Sequence, residues 1–222
     1  MPKAYRKTPR TTITRRSGPA YKVIKKKPTA SVVGRHVRPI ESKFFDSSDN
    51  VAVPSAGDVN ASLCLISQGA GDSQRLGRKI FPTSVGLKGS LTFTSPSGTN
   101  LTDLVRVVVF IDKQANGATA TVAQLLQGAN YNNWRNLDNT DRFMFLYDKV
   151  HTLGLTASGS ASTVVRKKFN VWLQLPSDLE IQYSSTTGAL TELTSANIGV
   201  MSISLLDGDT TLDYISRLRY TD

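Results

Sequence analysis

Acidic side chains are absent from the first forty residues, and the first of them, Glu41, arrives only after twelve Lys and Arg. That absence excludes ion pairing within the leader. The chain has one cysteine, Cys64, which excludes an intramolecular disulfide and any Cys-pair metal site. Its two histidines, His36 and His151, lack partners at zinc-site spacing. No apolar run reaches the roughly 18 residues of a spanning helix, and the N-terminus lacks the roughly 7–15-residue apolar core of a secretory signal. A soluble, intracellular protein with no membrane partner is expected. Runs of Ala, Glu and Lys are scarce too. Val, Ile, Thr, Ser and Leu are plentiful, with Gly and Pro as punctuation, a balance that favours β-strands joined by turns.

What is present is a sharp division of charge. Lys3, Arg6, Lys7, Arg10, Arg15, Arg16, Lys22, Lys25, Lys26, Lys27, Arg35 and Arg38 give residues 1–38 a charge of about +12. The other fifteen of the 27 basic residues face all 17 acidic ones, so the rest of the chain is near −2 and the formal +10 belongs to the leader. A segment so charged, interrupted by Pro2, Pro9, Pro19, Pro28 and Pro39, cannot bury enough apolar surface to offset its ordering entropy. It is expected to be a disordered arm over residues 1–40. Its dispersed charge suits a polyanion, because each cation that neutralises a phosphate releases condensed counterions. Twelve such contacts to a single strand would give a salt slope of roughly −8. Tyr5 and Tyr21 add stacking surfaces for unpaired bases. The prolines argue against an amphipathic transit helix, and no apolar face or lipidation signal holds the arm to a membrane. Lys25-Lys26-Lys27-Pro28 has the form of a nuclear-localisation cluster, read by a nuclear import receptor.

Residues 41–222 are long enough for one folded domain with its own core. Period-2 alternation and β-branched runs bounded by turn residues predict eight strands: Ala61–Ser67, Lys79–Ser95, Asp103–Asp112, Arg142–Thr152, Thr163–Leu175, Leu179–Ser184, Ile198–Leu206 and Thr211–Tyr220. "FNVWLQL" puts Phe169, Val171, Leu173 and Leu175 on one face and Asn170, Trp172 and Gln174 on the other. "VRVVVFID" is continuously apolar and belongs mid-sheet, covered on both sides. Asp207-Gly208-Asp209 reads as a hairpin turn between the last two strands. Only "TVAQLLQ", Thr121–Gln127, looks helical, within a connection of about thirty residues, Lys113–Asp141. Eight strands without a repeat imply an all-β, antiparallel two-sheet sandwich, of which a jelly roll is one solution and an immunoglobulin-like sandwich the rival.

Catalysis is not expected. "GDSQRLGRK" lacks the Gly-Lys-Ser/Thr ending of a P-loop, and no Gly-x-Ser-x-Gly elbow occurs. His151, inside "KVHTLG", reads as structural. Asp46/Asp49 and Asp207/Asp209 fall in turn-like segments that favour Asp; a structural calcium at a subunit contact would want such clustered oxygens, although spacing alone supports no cofactor or metal. Arg75, Arg78, Lys79, Arg166, Lys167 and Lys168 either extend the polyanion surface or form a solvated, ion-paired face.

The basic, Pro-containing arm is followed by "ESKFFD", "RLGRKIFPTSVGLKGSLTF", "LVRVVVFIDKQANGA", a short helix and "NLDNTDRFMFLYDKVHTLG". This order resembles the capsid proteins of small eukaryotic circular single-stranded DNA viruses over nearly the whole chain. Arg75–Ile80, "VFIDKQANG" and "RFMFLYDK" carry most of it. The chain is also similar to the shells of geminiviruses and of plant satellite RNA viruses; circovirus arms are more densely Arg-rich. The resemblance implies an eight-stranded antiparallel jelly roll that assembles as a T=1 icosahedral homo-oligomer of about sixty copies, closing through heterologous contacts. It further implies that the arm packages single-stranded DNA inside a virion assembled in the host nucleus. The alternatives are a satellite-like coat protein packaging RNA and a cellular nucleic-acid-binding β-domain protein with a basic tail. Phe44 and Phe45, adjacent in the chain just past Pro39, would point to opposite sides if extended, one pinning the chain to its own core and the other to a neighbouring subunit.

Overall fold

The computed structural model describes residues 42–95, 102–154 and 164–222. The arm cations Lys3 to Arg38, the Lys25–Pro28 cluster and the expected boundary near residue 40 lie outside the described residues. The described residues form nine strands: β1 (Lys43–Ala52), β2 (Asp58–Ser62), β3 (Lys79–Thr94), β4 (Thr102–Asp112), β5 (Phe143–Gly154), β6 (Val164–Gln174), β7 (Ile181–Gln182), β8 (Asn197–Ser204) and β9 (Thr210–Thr221). A four-residue helix, α1 (Val122–Leu125), and two 3-10 turns, Leu137–Asn139 and Leu190–Glu192, complete the described elements.

The protein is an all-β structure of two antiparallel sheets. One has the order β1-β9-β3-β6, with β7 beside β3, and the other β2-β8-β4-β5. The pairing is nested. β1 pairs β9, β2 pairs β8, β3 pairs β6 and β4 pairs β5, so the eight longer strands couple from the outermost in sequence to the innermost. Among them, every consecutive connection except β4 to β5 passes from one sheet to the other.

Alternation along the strands fills the space between the sheets. Val85, Leu87, Leu91 and Phe93 of β3 and Leu212, Leu218 and Tyr220 of β9 meet Val105, Val107, Val109 and Ile111 of β4 and Ile198 and Val200 of β8 in one buried cluster. β4 lies between β8 and β5 and is covered on both sides, as its continuous apolar run predicts. Its Val108 and Phe110 join Met201, Ile203, Phe143, Leu125 and Leu126 in a second cluster on the outer side of that sheet. The lid over this cluster is the long connection between β4 and β5. α1 supplies its apolar residues, and the Gln124 side chain accepts from the Thr121 backbone N–H at 2.9 Å in the manner of a capping box.

Four expectations are corrected. β1 is missing from the predicted strands because its inward positions include Ser47 and Asp49 as well as Phe45 and Val51; pairing with β9 from Lys43↔Tyr220 to Ala52↔Thr211 makes it a strand, not its own pattern. The segment expected at Ala61–Ser67 is strand only to Ser62, beyond which Leu63, Cys64 and Ile66 are buried in the core from irregular backbone. The segment at Leu179–Ser184 shrinks to β7. Asp207-Gly208-Asp209 does turn the chain, with Gly208 at φ +75°, but β8 and β9 lie in different sheets, so it is a crossover and not a hairpin.

Candidate interaction surfaces

The outer face of the β1-β9-β3-β6 sheet is laid out by register. Across it run Phe44–Arg219–Ser84–Gln174, then Asp46–Arg217–Gly86–Trp172, then Ser48–Ile215–Lys88–Asn170 and Asn50–Asp213–Ser90–Lys168. Arg166 follows on β6, paired to Thr92. No described segment forms an apolar cluster over this face. Trp172 is 46% exposed and its ring lies against Gly86, where an added Cβ would sit 2.4 Å from two ring carbons. The Arg219 guanidinium stands over that ring at 5.1 Å. Arg217 stacks on Phe44 at 4.7 Å and holds Asp46 through bonds of 2.7 and 2.6 Å. Those bonds hold the Asp46 carboxyl below its ordinary value. Between β9 and β6 lies a shallow trough of about 500 Å³, lined by Gly86, Lys88, Asn170, Trp172, Arg217 and Arg219 among others.

The other sheet presents a surface built by the β4–β5 connection. Arg106 of β4, nearly buried, donates from Nε and Nη2 to the two carboxylate oxygens of Asp148 on β5 at 2.7 and 2.9 Å. Its Nη1 donates to the carbonyls of Tyr131 and Asn133 at 3.1 and 2.6 Å. Arg135 adds a bond to Asp148 at 3.1 Å. Burial alone would raise the Asp148 carboxyl, but the bonds and charges of Arg106 and Arg135 outweigh it and hold it low. The loop is therefore fastened by charge-assisted bonds from beneath. On its outer side Trp134 is 82% and Leu137 69% exposed, beside half-exposed Val150.

The residues singled out from sequence divide between structure and surface. Phe44 and Phe45 do point to opposite sides: Phe45 packs on the core and Phe44 is exposed at the β1 edge. Arg166 and Lys168 lie on the open face. Arg75 cannot belong to any polyanion surface. It is fully buried, donates to the carbonyls of Ile66 at 2.9 Å, Gly77 at 2.6 Å and Ser185, and stacks on Tyr183 at 4.0 Å. Lys79 is paired with Glu180 at 2.7 Å, Lys167 reaches the Thr152 carbonyl at 3.3 Å, and Arg78 is exposed.

Asp46 and Asp49 sit in β1, not in a turn, and on opposite faces; Asp207 accepts from the Ser55 N–H at 2.9 Å. Among the described residues no three His, Cys, Asp or Glu side chains converge. His151 is buried against Phe169, ring to ring at 6.0 Å, with Nε2 3.2 Å from the Tyr147 hydroxyl. Burial, then the charges of Lys167 and Lys149, push its pKa down to about 4. Cys64 is enclosed beside Ser62 and Asn197, and burial raises its thiol pKa.

Sequence reasoning missed the Trp134 patch. Its signal was available: a tryptophan in the Asn-rich "NYNNWRNLDN" has no alternating pattern to bury it. Trp172 was placed correctly on the polar face by "FNVWLQL", without recognition that an aromatic ring on that face needs an explanation. The sequence matches no protein-family model and no curated protein.

Proposed function

We propose that this chain is the coat protein of a small virus, a jelly-roll domain that assembles into an icosahedral shell and packages single-stranded DNA with its basic N-terminal arm. The observation that carries the reading is the nested pairing of the eight long strands, β1 with β9 inward to β4 with β5, joined to an acid-free leader of about +12. A strip of four antiparallel pairs rolled so that successive pairs alternate between two sheets is a jelly roll, an architecture shared by capsid and lectin domains. The charge asymmetry favours a shell reading over a lectin one. A nearly neutral body with all the net cation in one terminal segment suits a wall with its polyanion on one side.

Self-assembly also needs surfaces prepared for neighbours. Trp134 and Leu137, large, exposed and held on a loop fastened by Arg106 and Asp148, lose little conformational freedom on docking. Phe44, at the β1 edge, is a second contact, with Phe45 anchoring the same strand to the core. The shell closes at T=1 with about sixty copies related by heterologous interfaces. Lys25-Lys26-Lys27-Pro28 addresses the free subunit to the nucleus through an import receptor, and the assembled product is the virion.

Negative-stain imaging and size-exclusion of the purified protein test this. A closed particle of tens of protomers is expected; a stable monomer at neutral pH and moderate salt overturns the proposal. Deleting residues 1–38 is expected to leave a folded domain while removing co-purifying nucleic acid. Retention of the full nucleic-acid content by the truncated protein would move packaging away from the arm. Nuclease protection followed by sequencing separates packaged DNA from RNA.

A further inference from the structure

The arm is the electrostatic part of the proposed packaging, but the folded domain carries a surface suited to bases. We propose that the outer face of the β9-β3-β6 strands, centred on Trp172, is a second binding site for single-stranded nucleic acid, in which a base stacks on the indole and the flanking cations hold the backbone. This inference rests on the packaging reading and adds a body site to it.

Four observations converge on one patch. The Trp172 ring is half-exposed and sets its Cε3–Cζ3 edge against Gly86, the one residue type with no Cβ to push it off the sheet. Arg219 stacks from one side, leaving an aromatic–guanidinium platform of the kind on which unpaired bases lie. Lys88, Lys168 and Arg166 follow along β3 and β6, and together with Arg219 they take part in no ion pair among the described residues. Two carboxylates share the face: Asp46 is occupied by Arg217, and Asp213 stands on β9 opposite Ser90. Five cations against two acids make the face about +3, on a body whose total is near −2.

Complementarity argues for this occupant. Neighbouring strands lie about 4.8 Å apart and alternate residues about 6.8 Å apart along a strand, so the cations from Arg219 to Arg166 mark a track roughly 29 Å long. A phosphate backbone can follow such a track while its bases reach the aromatic platform. A duplex offers phosphates but no unstacked base, so the indole would gain nothing from it. An apolar protein partner would leave these cations desolvated and unpaired.

The test uses the full-length protein carrying Trp134→Ala, in which Trp172 is the sole tryptophan. Short oligo(dT), oligo(rU) and a duplex of equal length are titrated, with binding followed by anisotropy and stacking by Trp172 emission. Single strands are expected to quench Trp172 while the duplex binds without quenching; comparison of dT with rU assigns the preferred sugar. At raised salt, where the arm's contribution is suppressed, Trp172→Ala is expected to weaken single-strand binding about tenfold. Arg166→Ser with Lys168→Ser is expected to lower the salt slope by about 1.4. Anisotropy that rises with no change in Trp172 emission overturns the inference and leaves packaging by the arm standing. No binding of any nucleic acid overturns both. Quenching by anionic vesicles, or with rising protein concentration alone, and not by oligonucleotide, also overturns it, assigning the face to a membrane or to a second copy.

Discussion

The two outer faces of the sandwich begin from the same kind of strand and end as opposites. On the β2-β8-β4-β5 side, Val108, Phe110, Met201 and Ile203 point outward and are buried, because about thirty residues of connecting chain cover them. On the β1-β9-β3-β6 side the outward positions carry Arg, Lys, Asp, Ser and Thr around Trp172 and Phe44, and the described chain leaves them open. Both faces use arginine against carboxylates and rings, but to different ends. Arg106 is nearly buried and fastens a loop; Arg219 is laid over an exposed indole. The difference separates the face from which this domain draws stability from the face it leaves open.

The sharpest way to break the comparison is to remove one aromatic ring from each face. Phe110 is buried and packs edge-on to Phe143, centroids 5.8 Å apart. Phe110→Ala is expected to cost about 3–5 kcal/mol, through lost burial and the cavity left behind. Phe44→Ala on the open face should cost about 1 kcal/mol or less, chiefly its contact with Arg217. Urea unfolding of unassembled protein measures both. Equal losses would mean that the open face is not open in solution.

How far these faces could be read from sequence follows from the same contrast. β3, β4, β6 and β9 announced themselves, since their apolar alternation or continuity reflects the core they line. β1 did not, because an edge strand bearing Ser47 and Asp49 inward takes its conformation from ten residues of pairing with β9, a long-range fact. The crossover at Gly208 was readable as a turn, but which sheet follows it is decided by packing. Arg75 looked like surface charge because sequence gives its charge and not the three carbonyls and the Tyr183 ring that enclose it. The leader was the most legible feature of all, since composition alone sets its charge.

A second, intermediate effect comes from acid. His151 lies on the inner side of β5, between the two sheets, and its folded-state pKa of about 4 is below the ordinary 6.5. The unfolded chain therefore takes up a proton first as pH falls. The stability that neutral His151 represents is fully present above about pH 6.5 and is lost progressively as pH drops through 4, amounting to about 2–3 kcal/mol. His151→Gln should flatten this part of the stability–pH curve, read by thermal unfolding at pH 7, 5.5 and 4. An unchanged slope would place the acid sensitivity with the carboxylates.

The smallest change in stability should accompany the largest separation of function. Trp134 is largely exposed, so replacing it with Ala is expected to shift unfolding by about 0.5 kcal/mol or less, and replacing the half-exposed Trp172 by about 1 kcal/mol or less. Their consequences should nevertheless diverge. Trp134→Ala removes the anchor from a loop that Arg106 and Asp148 have already ordered, so the fold persists while particles are lost. Trp172→Ala leaves that loop untouched, so particles form but carry less nucleic acid at raised salt. Particle yield by sedimentation and the ratio of absorbance at 260 to 280 nm, corrected for the missing indole, distinguish the two. If both variants lost particles to the same degree, the division between an assembling face and a nucleic-acid face would fail, and the open sheet would be a second contact between copies.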